Sequence, residues 1–144
     1  MILWVALVVL DRLTKAWARG LREPVTLIPG VLGLRHVENT GVAFSMLRDT
    51  GWITAMVSLV FIALLLWGLS RGRREKFYHT GMMLMLCGAY SNMLDRFLYG
   101  TVTDMVEFLF VRFAVFNLAD ALLCLGCLLL MISLWREEKA WKRE

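Results

Sequence analysis

The sequence lacks the side chains on which most enzymes depend. It has only two histidines, His36 and His79, too few for a paired zinc site, and both read as ordinary interface residues without partners. No glycine-rich loop is present to cradle a phosphate. No serine stands in a nucleophile elbow, and none of the three cysteines has a histidine near it, so acyl-enzyme chemistry has no nucleophile–base pair. Cys124-Leu-Gly-Cys127 has metal-ligand spacing, but no second pair or histidine cluster completes it. Together with Cys87, these cysteines read as small residues of apolar runs that define no redox compartment. No metal and no cofactor are expected. Long charged runs are missing too: the net charge of +4 lies in short basic clusters beside apolar stretches. That pattern fits topology signals and contacts with anionic lipids, and it argues against nucleic-acid binding. Acidic residues remain as the candidate catalytic groups.

Apolar residues are what the chain has in abundance. Of its 144 residues, 59% are hydrophobic, and the mean hydropathy is +0.64. Soluble domains are only about half apolar. The excess falls in blocks at about 2–19, 52–69, 80–98 and 115–135, each near the ~27–30 Å that a helix needs to cross hydrocarbon. The fold expected is therefore an all-α membrane protein of four transmembrane helices, in one domain with no room for a separate soluble catalytic unit. Window 52–69 carries no charge. Window 2–19 is interrupted by Asp11, Arg12 and Lys15, whose polar face must point into the protein. It has no basic n-region or small-residue cleavage site of a signal peptide.

Arg71-Gly-Arg-Arg-Glu-Lys76 and the basic tail after Trp135 mark one side as cytoplasmic by the positive-inside rule. Both termini then lie in the cytoplasm, and segments 20–51 and 99–114 face outward. Residues 25–37 are rich in β-branched side chains around a Pro29-Gly30 turn, which suggests a small extracytoplasmic sheet within about 22–50. Segment 101–113 reads equally as a short hairpin or an interfacial piece.

Several polar residues stand where apolar ones are the rule, and intramembrane ionisable groups are functional candidates by default. Asp11 and Lys15 have the i, i+4 order of an ion pair, read as structural more than catalytic, with Lys15 near enough to the outer interface to snorkel. Asn92, Asp95 and Arg96 share one helical face; Asp95 reads as structural, and Asn92 and Arg96 as structure or substrate binding alike. Asn117-Leu-Ala-Asp120 before an apolar run has the form of a capping box. Asn39 belongs to an Asn-Thr-Gly turn. Asp104 and Asp120 both lie at the edges of apolar runs, where two converging carboxylates would serve acid/base chemistry on a substrate from the bilayer.

Taken together, five segments closely resemble the lipoprotein signal peptidase family, signal peptidase II. They are Asp11-Arg-Leu-Thr14-Lys15, Glu38-Asn39-Thr-Gly41-Val-Ala43-Phe44, Ser91-Asn92-Met-Leu-Asp95-Arg96, Val102-Thr-Asp104-Met and Phe116-Asn117-Leu-Ala119-Asp120. They run in the family's order across nearly the whole chain. Two departures are Ser91, where the family usually has glycine, and Cys87-Gly88, where it has Gly-Gly. The resemblance implies a bacterial inner-membrane aspartyl peptidase that removes signal peptides from diacylglyceryl-modified prolipoproteins, cutting just before the lipidated lipobox cysteine. It maps the catalytic dyad to Asp104 and Asp120, near the outer face. Binding and support roles map to Asp11, Lys15, Asn39, Asn92, Asp95, Arg96 and Asn117. It also implies an extracytoplasmic β-cradle. Partners on this reading are the prolipoprotein substrate and membrane lipids, and a monomer is compatible with it. The alternative from another class is a small proton- or ion-coupled carrier using Asp11, Asp95 and Asp120 as relay sites. Such a carrier would distribute its titratable groups across the membrane depth, whereas here they gather toward the outer half.

Overall fold

The computed structural model describes residues 2–40, 51–71 and 75–141. Four long helices, α1 (Ile2–Ala18), α2 (Gly51–Ser70), α3 (Lys76–Tyr99) and α4 (Leu118–Trp141), carry three strands, β1 (Val25–Ile28), β2 (Leu32–Asn39) and β3 (Val102–Phe108), between them. Two stretches are long and apolar enough to cross a membrane: Trp52–Ser70 in α2 and Leu118–Lys139 in α4, with mean hydropathies of 2.3 and 2.2. α1, at 17 residues, is shorter than these spans, and both α1 and α3 carry polar residues of the interior. Asp11 and Lys15 on α1, and Ser91, Asn92 and Asp95 on α3, are all buried. Outward, large apolar side chains such as Leu13 and Trp17 on α1, Trp52 and Val60 on α2, and Met131 and Trp135 on α4 stand exposed. Exposed apolar area on that scale belongs against lipid.

Glycines set how closely α3 and α4 approach. A Cβ built on Gly88 would lie 2.3 Å from the Ala119 carbonyl oxygen, and Cβ atoms on Gly81 and Gly126 would each lie within 2.7 Å of the other residue's carbonyl. Small residues let helix backbones meet where side chains would hold them apart. α3 starts at Lys76, with Glu75 accepting from the Tyr78 N–H at 2.7 Å, a few residues earlier than the apolar window suggests. It stops at Gly100, whose φ of 74° is the left-handed conformation that closes a helix and lets the chain turn into β3.

The three strands form one antiparallel sheet in the order β1-β2-β3. β1 and β2 join through Pro29-Gly30, with Gly30 at φ 71°. Segment 101–113, open between two readings from sequence, is β3 up to Phe108. The pairing Leu34↔Val106 then Val37↔Asp104 shows one extra residue in β2, a bulge that bends the strand beside Asp104. After β3 the chain doubles back. Phe116 exchanges backbone bonds with Val106, its N–H donating at 3.0 Å and its carbonyl accepting at 2.8 Å. Because Phe116 is held in that bridge, α4 begins at Leu118 and not at 115. Residues 41–44 of the Asn39 motif, and residues 72–74 of the cationic link, lie outside the described residues.

Candidate active site

The bridge between Val106 and Phe116 has a chemical consequence: it delivers the N-terminus of α4 to the side of β3 that bears Asp104. Asn117 caps the helix, its Oδ1 accepting from the Asp120 N–H at 2.9 Å, while Asp120 Oδ2 accepts from the Asn117 N–H at 3.2 Å. This is the reciprocal capping box that the spacing predicts. The Asn117 carboxamide also donates to Asp104 Oδ1 at 2.6 Å. One asparagine therefore joins the two carboxylates. The remaining oxygens are held by two other amides: Asn39 donates to Asp104 Oδ2 at 3.0 Å, and Asn92 donates to Asp120 Oδ1 at 2.7 Å.

Asp104, Asp120, Asn39, Asn92 and Arg96 face one cavity of about 510 Å³. Its other wall is apolar, built from residues such as Val102, Phe108, Phe113, Phe116 and Leu123. Asp104 is 2% exposed. Burial, followed by the nearby charge of Asp120, pushes its carboxyl up to about 7, against the opposing pull of the Asn39 and Asn117 donors and of Lys15. A carboxyl that stays protonated near neutrality beside another carboxylate has the properties of an acid–base pair.

Behind this pair lies a second group of charges. Lys15, 0% exposed, holds Asp11 at 2.9 Å and Asp95 at 2.8 Å. Sequence spacing identifies the first partner and misses the second. Full burial also excludes the snorkelling expected of Lys15: its ammonium is held inside by these carboxylates. Asp11 further accepts from the Ser91 hydroxyl and from the Ala119 backbone N–H at 2.8 Å, so it ties α1 to α3 and to the start of α4. Asp95 binds Arg12, and Arg19 at 3.1 Å. Arg19 also donates to the Thr103 hydroxyl at 2.9 Å and stacks 3.7 Å over the Tyr99 ring. Arg96, turned toward the cavity, donates back to the Asn92 carbonyl at 3.3 Å.

All nine sequence-predicted site residues thus fall into one connected neighbourhood. Arg12, Arg19, Ser91 and Thr103 join it without having been expected there. The run Asp11, Arg12, Lys15, Arg19 falls on one helical stripe, and that spacing is the signal in the sequence that marks the two arginines. His36 also departs from expectation. Its Nε2 lies 2.7 Å from Glu38 Oε1, in a cross-strand cluster where Thr101 and Thr103 bond the same carboxylate. Among the described residues, no group of three or more His, Cys, Asp or Glu converges as a metal site. Cys87 is buried, while Cys124 and Cys127 are exposed on α4, and all three are free thiols.

Residues 3–136 match the family model for signal peptidase (SPase) II. A lipoprotein signal peptidase of Streptococcus pyogenes serotype M3 is 36% identical over 138 residues, 93% of this chain and 91% of that protein. Its counterpart from serotype M5 is 35% identical over the same shares. Two solved structures, described as bacterial membrane enzymes studied by the in meso method, share the fold with TM-scores of 0.89 and 0.83. At 24% identity they cover 95% and 92% of this chain and 87% and 90% of their own.

Proposed function

The chain belongs to the signal peptidase II family, and from that premise we propose that it is an aspartyl endopeptidase of the bacterial inner membrane. Its substrates are diacylglyceryl-modified prolipoproteins, cut just before the lipidated cysteine. The observation that carries this reading is the pair Asp104 and Asp120, joined by Asn117 and facing one largely apolar cavity. Two neighbouring carboxylates do not both ionise cheaply, so they share a proton. The ionised member takes a proton from a water, whose oxygen attacks the scissile carbonyl carbon, while the protonated member gives its proton to the carbonyl oxygen. Collapse of the tetrahedral intermediate breaks the C–N bond, with the leaving amine taking up a proton from the pair and one hydroxyl of the intermediate returning its proton to the pair as the new carbonyl forms. No covalent enzyme intermediate forms. The capping position of Asp120, on the N-terminal turn of α4, favours its negative charge, whereas Asp104 is the member that keeps its proton near neutrality.

The apolar wall suits a lipidated cysteine that stays in the bilayer while water reaches the carboxylates from outside. On this reading all four helices cross the membrane, α1 and α3 turning their polar faces inward, and both termini are cytoplasmic. A cysteine placed at residue 73 should be labelled only from the cytoplasmic side; labelling from outside intact cells would overturn the topology. Purified protein should cleave a diacylglyceryl-modified precursor, leave the unlipidated precursor intact, and keep its activity in EDTA. Cleavage lost in chelator and restored by zinc would overturn the aspartyl mechanism.

A further inference from the structure

We propose that Lys15 is a positioning residue for the dyad: by bonding Asn92 Oδ1, it fixes which end of that carboxamide is turned to Asp120. The inference rests on the dyad reading above and assigns Lys15 a task beyond neutralising Asp11. The two ends of an asparagine carboxamide have nearly the same shape, so only their partners decide which way it faces. Lys15 Nζ carries three donors and no acceptor. It lies 2.9 Å from Asp11, 2.8 Å from Asp95 and 2.7 Å from Asn92 Oδ1. The ammonium is fully buried among these three oxygens, with Asp11 and Asp95 as charge partners and Asn92 Oδ1 as its hydrogen-bond acceptor.

The consequence runs along one amide. An ammonium and the Asn117 carboxamide, the latter at 3.2 Å, both require oxygen at that end of Asn92. The NH₂ end is then turned to Asp120 Oδ1 at 2.7 Å. Rotating the carboxamide by half a turn would place NH₂ against NH₃⁺ and oxygen against a carboxylate, two repulsions in place of two bonds. Lys15 thereby presents a donor to the ionised form of Asp120, although its ammonium is bonded to other partners. An i, i+4 pair with Asp11 alone would leave the oxygen end of Asn92 to the longer Asn117 bond at 3.2 Å. Asp11 itself is anchored to Ser91 and to the Ala119 N–H, so the ammonium sits where α1, α3 and the start of α4 meet.

The same charge bears on Asp104, which it helps to keep ionisable against burial. The groups around the pair are Lys15 and Asp11 from α1, Asn92, Asp95 and Arg96 from α3, Asn39 from β2 and Asn117 at the head of α4. Arg12 and Arg19 lie beyond Asp95, which they bind. Removing Lys15 therefore takes away both an orientation and a cation.

The test uses the full chain in detergent with a fluorogenic peptide bearing a diacylglyceryl-modified cysteine. Lys15→Met should lower kcat by about 10²-fold, with KM changed by less than about twofold. The acid limb of the pH–rate profile should move up by about one pH unit, because a cation that favours the ionised pair is gone. A folded Lys15→Met enzyme with normal kcat and an unmoved limb would overturn the proposal, as would a rate loss that only follows the folded fraction. If that variant fails to fold, Asp11→Asn/Lys15→Met, which removes one charge of each sign and so leaves the acid limb nearly in place, carries the kcat readout, and a folded double variant with normal kcat would overturn the proposal. In the unsubstituted enzyme, the ¹⁵N-labelled Asn92 side-chain NH₂ should shift as the pair titrates, and a signal that ignores the titration would overturn the orientation. Robust cleavage by Asp104→Asn would instead sink the dyad reading, so the two failures are distinguishable.

Discussion

Asp11 and Asp95 are the same residue type as Asp104 and Asp120 and lie in the same part of the molecule, yet their partners differ in kind. The first two are matched to cations: Lys15 bridges them, and Arg12 and Arg19 complete Asp95. The second two are met by amides, from Asn39, Asn92, Asn117 and one backbone N–H. A carboxylate held by cations is already occupied. One held by neutral donors can gain and lose a proton without tearing an ion pair apart. The comparison teaches that the role of an enclosed aspartate is set by whether its donors are charged. The cationic group fastens three helices together, and the amide group leaves two carboxylates available for chemistry.

Substitution separates the two groups most sharply. Asp104→Asn or Asp120→Asn should each lower cleavage by about 10²–10⁴-fold while the protein still folds and binds substrate, since an amide replaces a carboxylate of the same shape. Asp95→Asn should do the reverse. It leaves the buried Lys15 with Asp11 alone and the part-exposed Arg12 and Arg19 facing a neutral group, a loss of about 3 kcal/mol. Thermal unfolding and cleavage measured on the same preparations decide between them. A well-folded, inactive Asp95→Asn enzyme beside an unfolded Asp104→Asn would break the comparison.

A smaller but still large effect is expected at Gly88. The amide group works only because α3 brings Asn92 to within 2.7 Å of the first turn of α4. A methyl at Gly88 would lie 2.3 Å from the Ala119 backbone oxygen, an atom that cannot move without shifting α4. Gly88→Ala should cost about 1–3 kcal/mol or more and lower activity with it. A normal melting temperature and normal kcat would show that the helices tolerate a wider spacing than the dyad geometry implies.

Much of this arrangement is legible in the sequence, and the illegible parts share a cause. The helices announce themselves through apolar length, and the capping box is local, so four consecutive residues are enough to place Asn117 and Asp120. Asp104 stands out as a candidate because a lone acid in an apolar setting is costly unless it is used. What sequence does not supply is long-range pairing. Segment 101–113 is ambiguous there because its alternating Val and Phe suit a strand or an interfacial piece equally. Its identity depends on β2, across the bulge between Leu34 and Val37, and on the Phe116 bridge. Lys15 shows only its i+4 neighbour, because its other two partners lie on α3, far along the chain. His36 looks isolated until the strand is drawn: Glu38, two residues on, points to the same face and meets it there.

The smallest expected effect concerns stability and pH, and it sharpens the contrast from the opposite side. Asp104 titrates near 7 in the folded protein, against an ordinary value of 3.8. Between those values the folded state holds a proton that the unfolded state has lost, so this residue makes stability fall as pH rises through the window. An asparagine at that position, having no proton to lose, escapes the cost. Asp104→Asn should therefore match the unsubstituted protein near pH 4 and exceed it by at least about 1 kcal/mol above pH 7, read as a melting temperature higher by roughly 3 °C. Asp95→Asn should show no such gain, because the neutral variant takes away a partner that three cations share. An Asp104→Asn enzyme that loses stability relative to the unsubstituted protein as pH rises would mean that this carboxylate is held by charge after all, and the distinction between the two groups would fail at its most exposed point.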